Sequence, residues 1–183
     1  GHIAAVGYDL YCKLVKEAVE GLKHVPEDSQ QEVEIEIPMT AYIPKDYITR
    51  DDAKLESYRS IADIKNDQDL DRIQQNWLDR YGPVPEEAIN LLKIAQLKLA
   101  ARSLGIEKII AKKLPGFGKT EWNIHLMPLS LRPSQRVRTL RLYEGSLYKE
   151  EKQELILKLP KIREASQEIT DYLKSLKPVS TSD

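Results

Sequence analysis

Among the 183 residues, the clearest candidate for chemistry is Gly116-Phe117-Gly118-Lys119-Thr120, which ends like a phosphate-binding loop. Such a loop needs a glycine five positions before Gly118, so that backbone N–H groups wrap the phosphates. Lys113 occupies that position, and Pro115 removes one donor. Residues 121–126 alternate like a strand, whereas a phosphate cradle opens a helix whose N-terminus faces the anion. The segment is therefore expected to be a hairpin loop and not an ATP site. His2, His24 and His125 lie far apart, without ligand spacing or a completing Cys or Glu. His125 falls on the polar side of its strand and is expected to be a solvated imidazole. No motif surrounds a nucleophile. The acidic pairs Asp51-Asp52 and Glu86-Glu87 already have roles in helix first turns. The residues support neither catalysis nor a cofactor in this chain.

Two groups of side chains suit binding better than reaction. The stretch 132–141 carries Arg132, Arg136, Arg138 and Arg141 with no acid among them. Arginines that neutralise phosphates supply most non-specific nucleic-acid affinity, so a nucleic-acid contact is one expectation. No aromatic ring is interleaved for base stacking, which favours a solvated helix face packed by Val137 and Leu140. The second group lies on a helix expected over 69–82. At about 100° per residue, Leu70, Ile73, Trp77, Leu78 and Tyr81 share one arc, while Arg72, Asn76 and Asp79 form an outward polar row. Taken as residues alone, that row reads as solvated surface.

The elements that must position these groups are marked by periodicity. Tyr8 to Leu22 repeats at helical spacing, and a polar linker runs from Glu27 to Gln31. Val33, Ile35 and Ile37 then alternate with Glu32, Glu34 and Glu36, as in a strand with one apolar and one acidic face. Thr49-Arg50-Asp51-Asp52 resembles a capping box for a helix through Leu55, Tyr58 and Ile61. Lys65-Asn66-Asp67 breaks that helix and caps the next, which Gly82 and Pro83 stop. Pro85-Glu86-Glu87 opens a long helix ending at Gly105. Strands are expected over Ile106 to Lys112 and around Trp122, Ile124 and Leu126, then a basic helix from Ser134 to Leu142. A hairpin through Leu147-Tyr148 and Leu155 to Leu159 and a last helix from Ser166 to Leu176 complete the pattern. The fold class is α+β: a central helical cluster with a small antiparallel sheet, preceded by an N-terminal amphipathic helix.

Composition bounds the function. Twenty-eight Lys and Arg against 29 Asp and Glu give a net charge of −1, which excludes a uniformly basic nucleic-acid binder. Apolar residues at 41% and charged ones at 31% suit a globular domain with a charged surface. The lone Cys12 excludes a disulfide scaffold and a thiolate-rich zinc site, and suits a reducing compartment. The longest apolar run, Ile3 to Val6, is far short of the roughly 20 residues of a membrane span.

Several short motifs occur in an order that resembles a known family. Gly1-His2-Ile3-Ala4-Ala5-Val6-Gly7-Tyr8-Asp9-Leu10-Tyr11 is similar to the stretch closing the helicase module of bacterial transcription-repair coupling factors (Mfd). Val33 to Pro38 and Ala41-Tyr42-Ile43-Pro44-Lys45-Asp46-Tyr47-Ile48 resemble the opening of that family's C-terminal domain. Tyr58-Arg59 and Asp79-Arg80-Tyr81-Gly82-Pro83-Val84-Pro85 resemble two further signatures. The resemblance is dense from 1 to about 106 and looser to about 176.

The resemblance implies that residues 1–31 end a translocase module, that 32–183 form a regulatory C-terminal domain, and that the chain is part of something longer. Residues 178–183 read as a disordered tail from their terminal position alone. It implies no catalysis in this piece, with ATP and magnesium handled elsewhere in a cytoplasmic, double-stranded-DNA translocase. The implied partners are the N-terminal UvrB-like module of the same protein and, through the parent, RNA polymerase, UvrA and DNA. Arg72, Asn76 and Asp79 become an expected interdomain contact. Family members often carry an acid where Asn76 stands; Asp79 keeps the pattern.

Overall fold

The computed structural model describes residues 32–116 and 121–176. The helix expected within 8–23, the linker over 27–31, residues 117–120 of the expected hairpin loop and the tail over 178–183 lie outside these residues. The described residues form two compact units. One is residues 38–99; the other joins residues 32–37 to residues 100–176.

The first unit is helical because its turn residues allow little else. The helices are α1 (Asp51–Ala62), α2 (Asp67–Tyr81) and α3 (Glu86–Ser103), the last continuing past Leu99 into the second unit. Asn66 caps α2 as expected, its side chain accepting from the Asp69 N–H at 3.0 Å. Gly82 comes next with φ of 83°, a value open to glycine without strain, and returns its N–H to the Leu78 carbonyl. The Pro85 carbonyl accepts from Ala88 and Ile89, setting the first turn of α3. The start of α1 differs from expectation. Arg50, not Thr49, is its N-cap, and no side chain caps it. A guanidinium has no acceptor to offer, so Arg50 turns instead to the Asp52 carboxylate at 2.7 Å.

Ahead of α1, residues 38–50 form no helix or strand. They turn at 45–47, where the Tyr47 and Ile48 N–H groups donate to the Pro44 carbonyl, and are pinned at points where the backbone would otherwise lack partners. The Ile43 N–H donates to the Tyr58 hydroxyl on α1 at 3.0 Å. The Tyr42 N–H reaches the Glu87 carbonyl, and Asn90 Nδ2 donates to the Thr40 carbonyl. Buried polar backbone groups need such partners, and burial of Ala41, Ile43 and Ile48 supplies the apolar part of the hold.

The second unit contains one sheet with strand order β1-β2-β3-β5-β4. These are β1 (Glu34–Glu36), β2 (Lys108–Leu114), β3 (Glu121–Met127), β4 (Leu147–Lys149) and β5 (Glu154–Leu159), with helices α4 (Pro133–Leu142) and α5 (Ala165–Ser175). The acidic alternation behaves as read: Val33, Ile35 and Ile37 are buried and Glu34 is exposed. The expected antiparallel sheet is corrected to a mixed one, because β1 pairs parallel to β2, Ile35 opposite Ile109. Parallel neighbours require a long crossover, and the whole of the first unit supplies it. The second strand begins later than its apolar pattern suggests. Gly105 (φ 75°) returns its N–H to Arg102, and the Ile106 N–H reaches back to the Ala101 carbonyl. This is a Schellman closure of α3 that keeps Ile106 out of the ladder. The remaining pairs are antiparallel, and β2 meets β3 from Lys108–Met127 to Leu114–Glu121. The chain after the glycine-rich segment therefore enters a strand, as expected, and not the helix a phosphate cradle requires.

His125 is not a solvated imidazole. Its side chain is 15% exposed and its Nδ1 lies 2.9 Å from Oε1 of Glu154, itself 14% exposed. Facing an ionised carboxylate, which only accepts, Nδ1 carries the proton. That hydrogen bond, with smaller help from Lys149 and Lys152, holds the Glu154 carboxyl below its ordinary value of 4.5 against the opposing effect of burial. A depressed carboxyl stabilises the fold above its unfolded pKa and loses that contribution as pH falls through the folded value. Glu154→Gln is therefore expected to lose stability less steeply than the parent chain below about pH 4.5, as measured by urea unfolding across a pH series.

Candidate protein-contact surface

The rotation of α2 about its own axis is set by one ring. Trp77 is 2% exposed, and its indole Nε1 donates to Ser57 Oγ on α1 at 3.1 Å. Leu70, two turns earlier, is buried on the same side. The C-terminal end of α2 is held by Tyr47, whose hydroxyl donates to the Gly82 carbonyl at 2.9 Å. The Tyr47 ring meets Tyr81 edge-on at 5.7 Å between centroids. Burial, with a smaller effect from Tyr81, pushes the Tyr47 phenol above its ordinary pKa, so it keeps its proton and stays a donor.

With Trp77 turned inward, Arg72, Asn76 and Asp79 point the other way, and all three are exposed. Arg72 Nη1 lies 3.6 Å from Asp69 Oδ1, one turn back. Gln75 Nε2 donates to Asp79 Oδ1 at 2.9 Å, leaving the other carboxylate oxygen without a partner among the described residues. Asn76, with donor and acceptor on one amide, likewise makes no side-chain hydrogen bond among them. The row can accept a guanidinium at Asp79 and hydrogen-bond beside it at Asn76. Gln75 belongs to the same face, orients Asp79, and has no signal in the sequence beyond its spacing of four. Leu78 departs from the expected apolar arc, being 45% exposed. It comes one residue after Trp77, which turns it about 100° off the buried side.

The arginine stretch does not converge. Arg132 is the N-cap of α4, its backbone N–H held by Gln135 Oε1 at 2.9 Å. Arg136 is engaged, with Nη1 3.7 Å from Glu150 Oε2 and its guanidinium 5.7 Å from the Tyr148 ring centroid. Arg138 and Arg141 are exposed and turned about 140–160° around the helix from Arg136. Val137, expected to pack this helix down, is instead 58% exposed. The helix is held through Thr139, which is buried and shares a 2.6 Å hydrogen bond with the Tyr172 hydroxyl of α5. Burial raises that phenol to about 12. Among the described residues, no group of three His, Cys, Asp or Glu is placed to hold a metal ion. No described helix is long and apolar enough to cross a membrane.

The chain has relatives among known proteins. The family model described as the TRCF domain matches residues 37–124. The transcription-repair-coupling factor of Mycobacterium bovis is 35% identical over 160 residues, covering 81% of this chain. The chain belongs to the TRCF-domain family. The Escherichia coli coupling factor is 32% identical over 133 residues, covering 70% of the chain, and that of Bacillus subtilis 34% over 110 residues, covering 60%. The chain spans only 12% of the length of the first two relatives and 9% of the third. A crystal structure of the C-terminal domain of a transcription-repair coupling factor shares the fold, with a TM-score of 0.64 at 19% identity. The match covers 79% of this chain and 91% of that one. The TRCF match contains α2 entire, so the polar row lies on an element of the family and not on an appendage.

If the row serves contact and Trp77 serves folding, substitutions must separate the two. Trp77→Ala is expected to destabilise the chain by about 3–5 kcal/mol. Arg72→Ala and Asn76→Ala should each stay within about 0.5 kcal/mol of the parent. Denaturant unfolding followed by circular dichroism reads both.

Proposed function

We propose that this TRCF domain is the regulatory C-terminal domain of a transcription-repair coupling factor. In this reading the Arg72–Asn76–Asp79 face docks on the N-terminal UvrB-like module of the same protein. Docking covers the surface that binds UvrA and restrains the ATP-driven, double-stranded-DNA translocase that displaces stalled RNA polymerase. The domain contributes no reacting group; ATP and magnesium belong to the translocase module. The observation that carries the proposal is a polar row held outward by a buried tryptophan yet left, among the described residues, with unfilled hydrogen-bonding capacity at Asn76 and Asp79.

The mechanism is a population shift. Contacts made only in the closed form lower its free energy relative to the open form, and their loss moves molecules to the open form by the same amount. A hydrogen bond between Asp79 and a cationic partner contributes roughly 1–3 kcal/mol. Asn76 adds a neutral bond where an acid would add a charged one, which makes this face less dependent on charge than that of acid-bearing relatives. A few kcal/mol in total holds most molecules closed. The alternative, nucleic-acid binding through Arg132, Arg136, Arg138 and Arg141, draws less support. One arginine is engaged with Glu150 and Tyr148, and Arg138 and Arg141 share their exposed helix with a bare valine.

Two variants of the full coupling factor test the reading. Deleting the segment equivalent to residues 32–183 is expected to raise both UvrA binding and ATP turnover. Asp79→Arg, which leaves the fold in place, should raise UvrA affinity by about 5-fold or more. Unchanged UvrA binding in both variants sinks the proposal.

A further inference from the structure

A groove of about 500 Å³ opens in the first unit between the segment after Thr40 and helix α1. Its walls are Tyr42, Ile43, Pro44 and Tyr58, and its charged groups are Lys45, Asp46 and Lys54. Neither the polar row on α2 nor the arginine helix contributes to it. The volume falls within the range of ligand sites, which are lined mainly by apolar and aromatic groups with a few polar ones.

Three features bear on what the groove could hold. The first is the tie between its two sides: the Tyr58 hydroxyl accepts from the Ile43 N–H at 3.0 Å, so the buried ring of Tyr58 is fixed as the floor. The second is Tyr42, which is 44% exposed at the groove. A part-exposed aromatic ring provides a large contact area at little cost in conformational entropy. The third is charge. Among the described residues, Lys45, Asp46 and Lys54 make no close ion pair, and two ammonium groups against one carboxylate leave the groove lining with a net charge of +1.

We propose that this groove binds an acidic protein segment that carries an aromatic or large aliphatic side chain. The apolar side chain lies against Tyr42, Pro44 and Tyr58, and flanking carboxylates face Lys45 and Lys54. Charge complementarity selects an anionic partner, and the walls select an apolar one. A nucleic-acid strand suits the site less well, because a single exposed ring gives one stacking platform where strand binders use several. The site is independent of the polar row on α2, so either can fail without the other.

The test is a titration of the ¹⁵N-labelled chain, followed by amide shifts. The probe is the synthetic peptide acetyl-Asp-Glu-Phe-Glu-Leu-Asp-amide. The controls are the same peptide with lysine at every acidic position, and a short oligothymidylate. Saturable shifts confined to residues 41–46 and 54–58 are expected with the acidic peptide and not with the basic one. Combining Lys45→Glu with Lys54→Glu should weaken binding by roughly tenfold, and Tyr42→Ser should weaken it while the rest of the spectrum stays in place. Three results overturn the proposal: no saturable shift at these residues, an equal response to the lysine peptide, or stronger binding of oligothymidylate at the same residues.

Discussion

Burying the Trp77 indole removes the freedom of α2 to rotate. A ring of that size can be enclosed in only one direction, and its N–H must find an acceptor once water is gone. Ser57 provides it from α1, and Tyr47 fastens the far end of the helix through the Gly82 carbonyl. With the rotation fixed, everything else on α2 is fixed too. Asp69 is brought back to the Lys65 N–H at the helix entry. Arg72, Asn76 and Asp79 are carried to the opposite side by the packing of other residues. The proposed docking face is in this sense a by-product of the core.

The same logic explains which parts of the fold are legible in the residues. Local patterns decide some outcomes outright: Asn66 caps α2, Gly82 takes the positive φ, and the acidic alternation at 32–37 sorts into a buried and an open face. Alternation reveals which side of a strand is buried but not which strand lies beside it. The parallel pairing of Ile35 with Ile109 therefore has no trace in the pattern. The division between Leu99 and Ala100 is equally hidden, since it falls inside a continuous helix whose composition does not change. The His125–Glu154 pair depends on the β3–β5 register, and two residues 29 apart in sequence carry no spacing signal.

For the candidate site, residue types are legible and roles are not. Spacing alone puts Arg72, Asn76 and Asp79 on one face, but only likeness to a family suggests what the face touches. The four arginines look equivalent in sequence; structure distinguishes Arg136, which Glu150 and Tyr148 engage, from Arg138 and Arg141, which they do not. The groove beside Tyr42 has no sequence signal at all, because it arises where the segment after Thr40 folds back on α1 through a backbone N–H that sequence does not distinguish.

The parallel β1–β2 pair has a consequence for the order in which the chain assembles. β1 emerges from synthesis first, but its partner arrives only after residues 38–107 have been made. Closing a loop of that length has an entropic cost that must be met before the pairing returns anything. Residues folded as helix rise only about 1.5 Å each, so forming α1 to α3 shortens the chain that separates Ile35 from Ile109. β1 is thus an edge strand whose pairing closes a longer loop than any other in the sheet.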